Sequence, residues 1–355
     1  MLKKEPGLLK QEPGLLKKEP GLLKKEPGLL KKAMLKPTLV RSSSVESVMV
    51  PACPVMVNNG ASRTLRVALA MYGLVRHPCP EANIARVFFQ PLRKVEGFNF
   101  QIDTFVATNV LTHAEEGGRP GAKVGSYEVV AQSEFMNFNS CHSSVLDQEA
   151  VDYDTRGLLN ATCGTYGDAW GDKTCRTTHN FLTALHAQRR VSQLIRAHEQ
   201  HAQFQYDVVV VARVDVLFTS SIPDGIYAEV AAHAVDKKET IVTPNWATFG
   251  GANDRFALAT RGAALMYLER LDRAAAYCSS HHQRLHSESF TLWQIRQMNA
   301  TVHKQRNIRL RRVRGNGWPQ PSRVQSPGGG KQMRAAPYEN VLCRGGRQGR
   351  RVRRC

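Results

Sequence analysis

The chain has 355 residues, a formal charge of +19, and no run of the roughly 18 apolar residues that a membrane-spanning helix needs. That charge is unevenly placed: residues 1–36 hold ten Lys against four Glu (+6), residues 304–355 hold fifteen Lys and Arg against Glu339 (+14), and 37–303 are left at −1. A near-neutral folding segment excludes a fold built to present a basic face to nucleic acid, so any such contact falls to the two ends.

Residues 1–32 repeat the heptad LLKKEPG, with Gln11 in place of one Lys. A proline in every seven residues removes helix hydrogen bonds and the adjacent glycine adds a second break, so the repeat is no coiled coil. It reads as disordered low complexity, continued to residue 62 by an aperiodic linker rich in Ser, Val and Pro. The nearest approach to a membrane anchor, VMVPACPVMV at 48–57, is short and broken by Pro51 and Pro54.

Order is expected from Leu65. LRVALAMYG (65–73) is a buried-strand run ending in a glycine turn. A helical pattern over 81–94 puts Ile84, Val87, Phe88 and Leu92 on one face, and FQIDTFVATN (100–109) is a second strand. Strand, helix and strand at this spacing predict a βαβ unit with a parallel pair.

Glycines mark loops over 117–125, and 126–131 is a short strand candidate. Asp147, Glu149, Asp152 and Asp154 form a charge run, read as a solvated face. A long amphipathic helix over 177–203 carries Phe181, Leu182, Leu185, Val191, Leu194 and Ile195 as its core stripe.

YDVVVVARVDVLF (206–218) follows. Four consecutive valines are too apolar for a half-exposed strand and predict a fully buried parallel one. Arg213 and Asp215 close it on one side of the pleat. Two readings of Asp215 stand here: a carboxylate at the ligand-binding end of a strand, or a turn cap paired with Arg213. The remaining elements are a turn at 223–225, a helix over 226–234, a strand at 239–246, a Gly250-Gly251 turn before a short apolar run, helices over 262–277 and 287–299, and strand-like segments at 301–303 and 308–313.

Eight cysteines show no C-x-x-C pair and no zinc-like spacing, but Cys163 and Cys175 flank a polar loop that they can bridge in an oxidising compartment. N-x-T sequons at Asn160 and Asn299 fit the same environment. The compartment stays open between a secretory or Golgi lumen and the cytoplasm. Alternating strands and helices predict one Rossmann-like, three-layer α/β domain over residues 63–315, with a mostly parallel sheet and a basic, disordered tail from 316.

Three segments in order carry a family likeness: VALAMYGLVR, then YDVVVVARVDVLF, then FGGANDRFALAT with HSESF (286–290) and RLRRVRGNG. Together they resemble glycosyltransferase-like proteins of algae, plants and bacterial polysaccharide or lipopolysaccharide clusters, a resemblance that implies the nucleotide-sugar-binding GT-A fold. The resemblance implies transfer of a sugar from a nucleoside diphosphate donor to a glycan or other hydroxyl acceptor. It also implies a divalent cation, Mg2+ or Mn2+, held by a D-x-D motif at a buried strand end. Here that position reads Arg213-Val214-Asp215, with arginine replacing the first carboxylate. Asp215 is the implied metal ligand, and Arg213 can itself meet phosphate.

By the same resemblance Gly73 and Arg76 lie beside the nucleotide. Gly250, Gly251 and Asn253 contact donor or acceptor, and Arg312 holds phosphate from the far side. Asp254 and Glu288 are the acids available to take the acceptor proton. Turn formation, helix capping and helix-start electrostatics explain several of these residues as well. His281, His282 and His286 read as a surface loop rather than a metal site. A reading from another class is a non-catalytic α/β protein whose basic tail, GGRQGRRVRRC, binds nucleic acid or anionic surfaces in a salt-sensitive way.

Overall fold

The computed structural model describes residues 54–74, 83, 85–110 and 141–312. The heptad repeat, Ile84, Arg76, the strand expected at 126–131 and the basic C-terminal segment lie outside the described residues.

Among the described residues ten strands form in chain order: β1 (Val55–Val57), β2 (Thr64–Tyr72), β3 (Asn99–Val110), β4 (His142–Asp147), β5 (Val208–Arg213), β6 (Val216–Phe218), β7 (Thr240–Pro244), β8 (Phe256–Thr260), β9 (Thr301–Gln305) and β10 (Leu310–Arg312). Eight of them make one sheet in the order β1-β3-β2-β5-β8-β7-β9, with β4 also on β3; β6 and β10 pair separately. Strands β2, β3, β4, β5, β7 and β9 run one way, and β1 and β8 run against them. The sheet is therefore mostly parallel, as the alternation of elements predicts. The reversed β8 was not legible, because its apolar run FALAT looks the same in either direction.

Helices α1 (Gln148–Leu159), α2 (Arg176–Ala202), α3 (Asp224–Val235), α4 (Arg261–Leu268), α5 (Ala274–His281) and α6 (Ser287–Arg296) cover the sheet. Strand β5 shows why both faces need covering. Val208, Val210 and Ala212 join one core with Phe88, Ile226 and Val230, while Val209 and Val211 join the other with Val191, Ile195 and Leu268. The pleat sends alternate valines to opposite layers, so a run apolar at every position suits a strand buried on both faces.

Three expectations are corrected. Residues 55–57, inside the stretch read as a disordered linker, form strand β1 ahead of the start expected at Leu65. This three-residue edge strand is held by Asn59, whose side-chain amide donates to the carbonyls of Leu92, Val95 and Phe98 at 2.9–3.0 Å. The 206–218 stretch is two strands rather than one, because a turn at Val214-Asp215 carries β6 out of the large sheet to pair with β10. The helix expected over 262–277 is α4, a 3-10 turn Arg270–Arg273, and α5. The acidic run is a solvated face, as expected, with Asp147, Glu149 and Asp154 exposed; Asp147 also caps α1 by accepting from the Glu149 N–H, and Asp152 and Asp154 pair with His179 and His186 of α2.

Sequence neighbours β2, β3 and β4 build outward to one side, and the chain then returns to lay β5 on the opposite side of β2. That is a topological switch point, where the ends of two parallel strands diverge and leave a crevice beyond their carboxyl ends.

Candidate functional site at the switch point

Tyr72, the last residue of β2, and Arg213, the last of β5, are register partners at this edge. Gly73 follows at φ +102, a backbone region that glycine enters without steric cost. The Val214 N–H donates to the Tyr72 carbonyl at 3.0 Å, which fixes the turn that carries Asp215.

Arg213 donates from Nε and Nη2 to the two carboxylate oxygens of Asp215, both at 2.7 Å. Arg312 donates from Nε to Oδ2 of the same carboxylate at 3.0 Å. The antiparallel pairing of β10 on β6 sets Arg312 against Val216, next to Asp215, across 97 positions of sequence. Burial alone would lower the Arg213 guanidinium, but Asp215 outweighs that and raises it, so the guanidinium stays charged.

The second cluster lies on the loop before β8 and the start of α6. Ala247 and Phe249 take positive φ (48° and 42°), and Gly250 sits at +83°. Gly251 lies flat on α6: a Cβ there would stand 2.0 Å from the Glu288 carbonyl oxygen. The Ala252 N–H donates to that carbonyl at 2.9 Å, so the glycine is what lets loop and helix meet.

This contact brings Asp254 and Glu288 to the two sides of Arg255, each carboxylate 3.8 Å from its guanidinium. Both acids are buried, and Oδ1 of Asp254 has no hydrogen-bond partner. Burial, and then the Asp254 charge, raise the Glu288 carboxyl; Ser287, which donates to it, and Arg255 hold it down by less. The two clusters are tied together, since Tyr72 Oη donates to the Asp254 carbonyl at 2.8 Å and the Arg213 N–H to the Arg255 carbonyl at 3.2 Å.

Arg213, Asp215 and Arg312 thus form one group, Asp254 and Glu288 another, and Gly73 lies at the same edge. Gly250 and Gly251 shape the loop. Asn253 is fully buried and spends its amide on that loop, donating to the Trp246 carbonyl and accepting from the Arg255 N–H, both at 3.0 Å. The substrate contact expected of Asn253 therefore gives way to a loop-fastening one.

The D-x-D-like position does not fit a divalent cation. Both Asp215 oxygens already accept from guanidiniums, and among the described residues no group of three or more His, Cys, Asp or Glu side chains gathers to hold a metal. A cation there would sit against two fixed positive charges.

Two contributors were not singled out in the sequence: Tyr72 looked like one more apolar strand residue, and Ser287 like a helix start. His286 lies in the loop before α6, as expected, and its ring lies tilted 5.1 Å from that of Trp170, with Nδ1 3.6 Å from Glu288 Oε2. Trp170 comes from the loop closed by the Cys163–Cys175 disulfide, the bridge that its polar spacing anticipated. Asp168 steadies this loop, accepting from Trp170 N–H at 2.8 Å and from Thr178 N–H at 2.9 Å.

A family model described as "Domain of unknown function (DUF7796)" matches residues 186–310, a span that includes Arg213, Asp215, Asp254, Arg255 and Glu288 but not Tyr72, Gly73, Trp170 or Arg312. No curated protein matches the chain. Among solved structures, the crystal structure of mouse Xyloside xylosyltransferase 1 in its apo form is similar over 68% of this chain and 85% of that one, with a TM-score of 0.34 and 11% sequence identity.

Proposed function

We propose that the crevice transfers a sugar from a nucleoside diphosphate donor to a hydroxyl acceptor, a glycan by class. One observation carries this reading. A buried carboxylate pair and a guanidinium cluster, tied together through Tyr72, lie at the switch point of a mostly parallel sheet. The sequence resemblance points the same way.

In the proposed reaction the acceptor oxygen attacks the anomeric carbon. The bond from that carbon to the diphosphate oxygen breaks, and the electron pair leaves with the diphosphate. Glu288 takes the acceptor proton, for which a carboxylate raised toward neutrality is better suited than an ordinary one. Asp254 holds the reacting hydroxyls through its carboxylate, whose Oδ1 accepts no hydrogen bond within the protein. Arg213 and Arg312 meet the diphosphate. The disulfide and the exposed sequon residues Asn160 and Asn299 favour a secretory or Golgi lumen as the working compartment.

A thermal-shift screen against nucleoside diphosphates and their sugars tests donor binding. A ligand at a hundred times its Kd adds about 2.7 kcal/mol of stability, a shift that is readily measured. A folded protein whose melting temperature moves with none of them contradicts the proposal.

A further inference from the structure

Resting on that reading for the identity of its ligand, we propose that Arg213, Asp215 and Arg312 form a metal-independent diphosphate clamp. In it, fixed guanidinium charge takes the place of a divalent cation.

Burial decides what an incoming ligand meets. The Asp215 side chain is 1% exposed, that of Arg213 13% and that of Arg312 32%. The carboxylate lies behind the guanidiniums, so a ligand from solvent encounters nitrogen before oxygen. A cation approaching the same way meets two positive charges before any ligand atom, and must strip N–H donors from both Asp215 oxygens to bind.

The charge sum agrees. Two carboxylates holding a divalent cation come to zero, whereas two arginines on one aspartate come to +1. Arg213 and Arg312 are the groups that present positive charge to the ligand. Arg213 turns its Nε–Nη2 edge to Asp215, so its Nη1 lies on the side away from the carboxylate. A guanidinium held this way is planar, always charged and already oriented, which suits phosphate oxygens better than a lysine does.

Asp215 is accordingly a positioning residue. It orients two guanidiniums that reach it from β5 and from β10, and it touches no ligand itself.

The test is calorimetric titration of the full chain with inorganic pyrophosphate, uridine diphosphate and guanosine diphosphate, in EDTA and again in Mn2+. The clamp predicts binding in EDTA with affinity within about twofold of that in Mn2+, and weakening as salt rises. Arg213→Ala and Arg312→Ala each weaken it on the order of tenfold or more in EDTA, the worth of a charge-assisted hydrogen bond. Arg213→Lys and Arg312→Lys keep the charge but lose the fork, and serve if an alanine variant fails to fold; both weaken binding.

Binding that EDTA abolishes and Mn2+ restores overturns the clamp and leaves the sugar-transfer reading standing. Binding unchanged in the arginine variants, and hence carried by the basic termini, also overturns it, as does the absence of binding by all three probes. Pyrophosphate that binds in EDTA while neither nucleotide does supports the clamp and removes the nucleotide donor.

Discussion

Asp215 shows how much rests on a single carboxylate. Two guanidiniums converge on it in a site almost closed to water, so its removal takes away the charge that draws them together. Breaking a buried pair from one side costs about 3–5 kcal/mol. Asp215→Ala should lower unfolding stability in urea by that order, and Arg213→Ala by less, because Arg312 still pairs the acid. Equal stability of wild type and Asp215→Ala would mean that the guanidiniums find water instead. Glu288 differs in kind, since its raised carboxyl makes a pH prediction with a definite sign. The proton persists above the ordinary 4.5, so a base at this position is not fully ionised until the pH is higher. The acid limb of the rate profile should therefore fall above 4.5 and move in Asp254→Asn toward lower pH. A limb that stays in place would separate the two acids.

At the scale of elements, the acid cluster depends on one backbone contact. A methyl at residue 251 has no room against the Glu288 carbonyl, so Gly251→Ala must push the 247–254 loop off α6 or shift the start of that helix. Overpacking of this kind costs about 1–3 kcal/mol, and here it would also part Asp254 from Glu288. The expected result is a folded protein with little activity, while Gly250→Ala, strained at φ +83 but in open space, should lose about 1 kcal/mol and keep more of its rate. The Cys163–Cys175 loop makes a second case. Closing a loop of this length is worth about 2–4 kcal/mol, and its Trp170 ring lies against that of His286 beside Glu288. Changing both cysteines to serine should lower the melting temperature and quench or shift the Trp170 fluorescence; an unchanged spectrum would mean that the ring contact does not need the bridge.

Over the whole molecule, the parts that a sequence makes legible are those fixed by local periodicity. The valine run gives β5 because alternate faces are both apolar, and the Leu/Val/Ile stripe gives α2. The break at Val214-Asp215 is hidden because VLF pairs equally well with β10 as with the large sheet, and β1 is too short to show alternation. The site is legible only in halves. Arg213 and Asp215 announce themselves as charge after a buried run, but Arg312 reaches them from 97 residues away, and the meeting of Gly251 with Glu288 is a backbone contact that no residue pattern encodes. Two histidines, His186 buried and His142 partly buried, add a global pH response. Burial, as the largest cause, holds His142 and His186 below their ordinary 6.5, so the unfolded chain binds more protons in that range and stability falls as pH drops through it. Urea midpoints should decline from pH 7 to 5; a flat profile would contradict the burial of these rings.

The central claim is that the carboxylate pair at the switch point performs sugar transfer, and the most direct test is turnover. Release of nucleoside diphosphate from a panel of donor sugars, with hydroxyl acceptors and with water alone, is measured for wild type and Glu288→Gln. The account predicts turnover with at least one donor, a loss on the order of 10²–10⁴-fold in Glu288→Gln, and donor affinity unchanged. Turnover that survives intact in Glu288→Gln, or a donor that binds wild type and is never consumed, would contradict it.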